Sequence, residues 1–241
     1  MDLKIIAYAH NGFTDKFGIP RQSRDDSALL TRIVFETVYR VPDALRGIEG
    51  YSHLWLLWGF SANRTGSETR QQSFTVRPPR LGGNTRMGVF ATRSPFRPNP
   101  IGLTCVRLLR VETDRPDGPV LVVQGADLMD GTPIYDIKPY LSFSDSHPDA
   151  RNGFAETVKD YSLQVVWSPE ASAALKRCCG SLQETVARKT ELDEILSQDP
   201  RPAYHADPER VYRLDYAGVN VSFSVDGLSL TVLAVQPSTL V

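Results

Sequence analysis

Two short stretches of the chain concentrate side chains able to recognise charge. Arg93-Ser94-Pro95-Phe96-Arg97-Pro98-Asn99-Pro100-Ile101-Gly102 holds two arginines four residues apart on a backbone stiffened by three prolines. A rigid loop that presents guanidinium binds anions at low entropic cost. The second stretch, Asp127-Leu128-Met129-Asp130-Gly131-Thr132-Pro133 followed by Tyr135-Asp136-Ile137-Lys138-Pro139-Tyr140, sets carboxylates beside aromatic rings and a lysine. Such a surface suits a cation or a purine. Each stretch also has a plainer explanation, because Asn99 and Asp130 are natural turn formers and Asp-Gly is a common turn pair.

Other chemistries are excluded by their missing signatures. No G-x-G-x-x-G follows a strand and no G-x-x-x-x-G-K-[ST] occurs, so neither a dinucleotide-type Rossmann site nor a phosphate loop is supported. Gly59-Phe60-Ser61-Ala62-Asn63 approaches a nucleophile elbow but lacks the final glycine. His10, His53, His147 and His205 show no metal-ligand spacing, and His53, inside an apolar run, reads as a satisfied structural histidine. Asp127, Asp130 and Asp136 do not form a calcium loop, and no metal is expected. Cys105 and the adjacent Cys178 and Cys179 are too few and too badly spaced for a disulfide framework or a zinc site.

Charge is unevenly spread. The 27 basic and 28 acidic residues give a net charge of -1, yet from Arg70 to Arg110 there are eight arginines, among them Arg77, Arg80, Arg86, Arg93 and Arg97, and neither a lysine nor an acid. Arginine outnumbers lysine 21 to 6 in the chain, and the guanidinium fork is the group that grips phosphate or carboxylate in bidentate fashion. A solvated charged face is the bland reading of scattered arginines, but random surface patterning mixes signs. Anion recognition is the first functional expectation.

The elements that must hold these loops follow from periodicity and breakers. Leu3–Tyr8, Arg32–Val38, Tyr51–Phe60, Met87–Ala91, Gly102–Val111, Val120–Gln124 and Ser162–Trp167 read as short strands. Proline- and glycine-rich turns separate them, DGTP at 130–133 included. Seven short strands must hide their edges, which favours a small antiparallel β-barrel. After Trp167 the texture changes. Ser168-Pro169-Glu170 starts a helix ended by Gly180, and Ser181 with Glu184 forms a capping box for a second helix to about Ser197. From Arg210 three strands alternate through Leu214, Val221, Phe223, Leu228 and Leu230, with tight turns at Ala217-Gly218 and Asp226-Gly227. The expected class is mainly β: a barrel domain over residues 1–167 and a small α+β domain over 168–241. At 241 residues and 41% hydrophobic content the chain can bury a core without staples. The stretch MDLKIIAYAHNGF has neither a basic leader nor an apolar run of membrane-spanning length, so a cytoplasmic protein is expected, with no membrane partner.

Together TVRPPRLGG (75–83), MGVFATRSPFRPNPIGL (87–103), DGTPIYDIKPY (130–140), SHLW (52–55), PRQ (20–22) and QDPRPAY (198–204) resemble the TrmO, or TsaA-like, family, in order and over nearly the whole chain. The resemblance implies a non-Rossmann β-barrel methyltransferase that uses S-adenosyl-L-methionine to methylate N6 of threonylcarbamoyladenosine beside the tRNA anticodon. It also implies a homodimer with donor sites near the subunit interface. It carries donor binding to Pro20, Arg21, Gln22, Arg93, Leu103, Asp127, Leu128, Met129 and Asp130. The sequence departs from the family pattern at Ser61 and Ala62, and at Ala9-His10-Asn11-Gly12-Phe13, where relatives often read IRSPY. A donor bearing sulfonium, ammonium and carboxylate needs acids near its cations and an arginine or N–H near its anion, which Asp127–Asp130 and Arg93 can supply. Arg77, Arg80, Arg86, Arg97 and Lys138 are the candidate RNA contacts. Asp136 is the candidate base for the acceptor proton, with a capped turn or an ion pair to Lys138 as its alternative. Two further readings stay open: a non-catalytic anion- or RNA-binding barrel, and a methyltransferase of the same fold acting on another nucleotide.

Overall fold

The computed structural model describes residues 2–20, 22–24, 26–61, 74–78, 81, 85–116, 118–157, 162–201 and 207–239. In chain order its strands are β1 (Ala7–His10), β2 (Leu30–Phe35), β3 (His53–Gly59), β4 (Thr75–Val76), β5 (Met87–Gly88), β6 (Ile101–Glu112), β7 (Val120–Gln124), β8 (Thr132–Pro139), β9 (Gln164–Trp167), β10 (Tyr212–Tyr216), β11 (Val219–Asp226) and β12 (Ser229–Pro237). The α-helices are α1 (Ser142–Asp145), α2 (Pro169–Cys178) and α3 (Leu182–Ser197).

By packing, the chain forms two compact units that no single cut separates. The first comprises Met1–Ala9, Arg32–Val123 and Gly131–Lys159, and the second His10–Thr31, Gln124–Asp130 and Asp160–Val241. A boundary after Trp167 follows chain order, whereas packing gathers two early segments with the carboxy-terminal one.

The first unit is built on a closed barrel of order β1-β2-β7-β6-β3-β8, so the expected barrel is present with a different strand set. Met87–Ala91 yields only the two residues of β5, paired with β4 in a separate ribbon, before a 3-10 turn over Val89–Ala91. Ser162–Trp167 leaves the barrel altogether. In their place stands β8, read from sequence as turn chemistry because of its prolines. Pro133 and Pro139 lie near its two ends, where the ladder tolerates a missing N–H, and β8 closes the barrel by pairing with both β1 and β3. Leu54, Leu56 and Trp58 of β3 are buried, and the alternate residues His53, Trp55 and Leu57 are half-buried on the other face. The Trp58 indole donates to Thr104 Oγ1 at 2.9 Å. A Cβ at Gly102 would come within 2.2 Å of that ring, so only glycine fits there.

The second unit is the expected α+β body with one strand more. Its sheet order is β10-β11-β12-β9, and β9 runs parallel to β12 from Gln164–Ser229 to Trp167–Val232. The Ala217-Gly218 turn has φ of 46° and 84°, as a type I′ hairpin requires. Leu228, expected to face inward, lies in the next turn and is 66% exposed. Both helices begin as expected: Ser168 Oγ accepts from Ala171 N–H at 3.0 Å, and Ser181 Oγ from Glu184 N–H at 3.1 Å. The Glu184 carboxylate bonds the Gly180 N–H, one residue before the cap. Leu175, Leu192, Ile195 and Leu196 pack with Leu214, Phe223 and Leu230 of the sheet, and Phe13 and Leu29 from the early segment complete that core.

Candidate functional site

In the second unit, residues 127–130 are held by residues 10–13. The Asn11 N–H donates to Asp130 Oδ1 at 3.0 Å, and the Asp130 N–H returns to the Phe13 carbonyl at 2.8 Å. The Asn11 amide donates to the Leu128 carbonyl at 2.9 Å and to Thr31 Oγ1 at 3.2 Å, while its oxygen accepts from Phe13 N–H at 2.9 Å. His10 Nδ1 lies 3.3 Å from Asp130 Oδ1, with both side chains substantially exposed. Asp130 is thus a carboxylate fixed through one oxygen at the surface. Asp127 and Met129 are half-buried, but the Leu128 side chain is 1% exposed. Leu128 therefore fills core, and the part of it open to a ligand is its main chain.

The segment around residues 20–29 is anchored from two sides. Glu194 of α3 accepts from Ser27 Oγ at 2.6 Å and from the Ala28 N–H. Gln124 Nε2 donates to the Ser27 carbonyl. Gly125, at φ +79°, lies so close that a Cβ would meet the Arg24 carbonyl oxygen at 2.0 Å. Pro20 is half-buried and Gln22 exposed. Arg21 lies outside the described residues.

α3 also carries a half-buried polar cluster. Arg188 and Glu191 pair at 3.4 Å, each less than a fifth exposed, and the Arg188 guanidinium stacks over Tyr216 at 5.5 Å. Burial pushes the Glu191 carboxyl above its usual range, against the pull of Arg188. Burial, then the neighbouring Glu191 charge, pushes the Tyr216 phenol up as well.

In the first unit the arginine loop braces itself. Thr92 Oγ1 donates to the Val89 carbonyl and accepts from the Ser94 N–H, and Ser94 Oγ accepts from Phe96 N–H. Arg97 turns inward to the Thr92 carbonyl at 3.1 Å, so one arm of this expected RNA contact serves the loop itself. Arg93 is exposed. Phe90 and Phe96 are 76% and 62% exposed beside these arginines, and the sequence reading passed over both, although Phe96 stands between Arg93 and Arg97. Arg77 and Arg86, both exposed, directly follow and precede the paired Val76 and Met87, so the ribbon brings them opposite one another. Arg80 lies outside the described residues.

On the outer barrel face, strand register sets Leu103, Leu57 and Asp136 in one row and Cys105, Trp55 and Lys138 in the next. Leu103 is 53% exposed. Asp136 Oδ2 lies 3.2 Å from Lys138 Nζ, and Oδ1 accepts from the Ile137 N–H. Trp55 Nε1–H and the Leu141 N–H both donate to Asp145 Oδ2 at 2.9 Å. Those bonds hold the Asp145 carboxyl below its ordinary value.

Two clefts, of about 200 and 260 Å³, are lined by Lys16, Phe17, Ile195 and Gln198 in one case and by Glu49, Tyr51 and Leu108 in the other. Both are small beside the roughly 300–1,000 Å³ of small-molecule sites, and neither includes an expected site residue. No group of three or more metal-ligating side chains occurs among the described residues, and none of the three cysteines is in a disulfide.

The chain is similar to known proteins over almost its full length. The tRNA-methyltransferase O N-terminal domain matches residues 8–146, and the TrmO C-terminal domain matches residues 160–238. The chain is 38% identical over 235 residues to a tRNA (adenine(37)-N6)-methyltransferase of Escherichia coli, covering 96% of each. To the protein of that name from Eikenella corrodens it is 45% identical over 189 residues, 77% of this chain and 99% of the relative. A crystal structure of TrmO from Pseudomonas aeruginosa superposes with a TM-score of 0.76 at 32% identity, covering 98% of both chains. With both domains matched in order and the same β-barrel architecture, the chain belongs to the TrmO family.

Proposed function

We propose that the protein transfers a methyl group from S-adenosyl-L-methionine to N6 of an adenine beside the tRNA anticodon, and that its substrate is the threonylcarbamoyl-modified adenine. The observation that carries this reading is the end-to-end similarity to relatives named tRNA (adenine(37)-N6)-methyltransferase. The donor supplies an electrophilic methyl on a sulfonium. In the second unit the Asp127–Asp130 loop, with Pro20, Arg21 and Gln22, is assigned to it, and the fixed Asp130 carboxylate suits a cationic group. Arg93 and Leu103 are also proposed as donor-binding residues, the guanidinium for a carboxylate.

The acceptor nitrogen shares its lone pair with the purine and the carbamoyl carbonyl, so its proton must leave as the new bond forms. Asp136 is proposed to take it. That role requires the carboxylate to share or release the Lys138 ammonium 3.2 Å away. Arg77, Arg80, Arg86, Arg97 and Lys138 are proposed to hold tRNA phosphates and the threonyl carboxylate. The protein is further proposed to act in the cytoplasm as a homodimer; no described helix is long and apolar enough to cross a membrane.

Radiolabelled methyl transfer to tRNA with and without the threonylcarbamoyl group is the direct test. Transfer only to the modified tRNA is expected. Transfer to both would leave the methyltransferase reading and overturn the substrate. Donor binding without transfer would favour a binding protein.

A further inference from the structure

We propose that Asn11 is the positioning residue that preorganises the Asp127–Asp130 loop for its ligand. The inference rests on the reading that this loop holds the methyl donor. Every polar atom of the Asn11 side chain is engaged in holding the two segments. Both amide hydrogens are donated, to Leu128 O and Thr31 Oγ1, and the amide oxygen closes a turn with the Phe13 N–H. Its own N–H orients Asp130 Oδ1, and the Phe13 carbonyl fixes the Asp130 N–H. The Asn11 side chain therefore sets the loop's main chain at Leu128, beside the main-chain bonds of residues 11 and 13 that set Asp130.

The alternative is that Asn11 only stabilises the fold. The neighbours argue for a finer role, because the hydrophobic anchoring of this segment is supplied separately by Phe13, 1% exposed and packed 4.9 Å from the Tyr216 ring. The Ala217 N–H bonds the Gly12 carbonyl at 2.8 Å in addition. Losing the Asn11 amide thus leaves the segment attached and Asp130 bonded to the main chain of residues 11 and 13, while the loop loses its hold at the Leu128 carbonyl. If the loop then adopts its binding geometry a tenth of the time, apparent donor affinity falls about tenfold without any lost contact to the donor.

Asn11→Ala and the near-isosteric Asn11→Asp, which keeps the Phe13 turn but loses both donors, separate these roles. Calorimetry with S-adenosyl-L-methionine should show about tenfold weaker binding for both. KM for the donor should rise by the same factor, with kcat and KM for tRNA within about twofold. Without any ligand, hydrogen exchange at the amide of Asp130 should speed up in both variants while amides of β11 stay protected. Asn11→Ser, which restores only the turn acceptor, should give no more than partial rescue. Donor affinity and Asp130 exchange equal to wild type in a folded variant would overturn the proposal. Faster exchange spread evenly over the unit, with kcat falling alongside KM, would overturn it in favour of a fold-only role. If the wild-type protein itself takes up no donor, the reading of the site fails first, whereas the exchange experiment still reports whether Asn11 holds the loop.

Discussion

Arg93 is the side chain whose loss speaks most directly to the donor site. A guanidinium paired with an anionic donor group contributes on the order of 1.5–3 kcal/mol, so Arg93→Ala should weaken donor binding at least tenfold in calorimetry while the self-braced loop stays in place. Unchanged affinity would remove Arg93 from the site. Asp145 offers a pH test unrelated to catalysis. Hydrogen bonds from the Leu141 N–H, then from the Trp55 indole, favour its ionised form. Its folded-state value therefore lies below the ordinary 3.8, and the stabilisation is present above that pH and is lost as pH falls through the folded value. Asp145→Asn should accordingly have a lower Tm than wild type at neutral pH, and the gap should close as the pH is taken below 3.8. A gap that persists in acid would assign the effect to packing. At this scale the charged residues were readable because arginine and aspartate declare their chemistry by type. Asn11 was not, since an asparagine before glycine signals only a turn, and its partners Thr31, Leu128 and Asp130 lie up to 119 residues away.

Elements with local signals were found and those fixed by distant pairing were not. The caps of α2 and α3 are local, and Ser168→Ala or Ser181→Ala should each cost about 1 kcal/mol in urea denaturation. β8 is the contrary case: two prolines and an opening Asp-Gly outweigh Thr132, Ile134 and Ile137 in any short window, and only the partners β1 and β3 make it a strand. β9 was visible as a strand but not as a parallel neighbour of β12, because register between segments so far apart in the chain leaves no trace in alternation. Close backbone approach is similarly silent until seen. Gly125→Ala puts a Cβ onto the Arg24 carbonyl in a left-handed conformation, and it should destabilise by at least about 2 kcal/mol. A loss below about 0.5 kcal/mol would show that the Arg24 backbone yields easily.

The fold class of the whole chain was legible because strand-length runs, breakers and capped helices are dense and mutually consistent. The composition of its packing units was not, as sequence order hides which early segments join a late core. Two predictions belong to the complete assembly. Replacing Arg77 and Arg86 together should weaken tRNA binding and reduce the slope of log affinity against log salt by roughly 0.7–0.9 per lost phosphate contact. Donor affinity should hold, and an unchanged slope would move the RNA surface elsewhere. Sedimentation at assay concentration should show a dimer, whereas full activity as a monomer would refute a shared site. The interleaved second unit also bears on how the protein is made. Residues 10–31 leave the ribosome early, yet the helices and sheet they pack against lie beyond residue 160. At ~5–20 residues per second, Phe13 and Leu29 wait on the order of ten seconds for their core. During synthesis this segment is an exposed apolar stretch, and nascent chains arrested before α3 should be captured by chaperones and cut by protease within residues 10–31, a sensitivity that disappears once the chain is released.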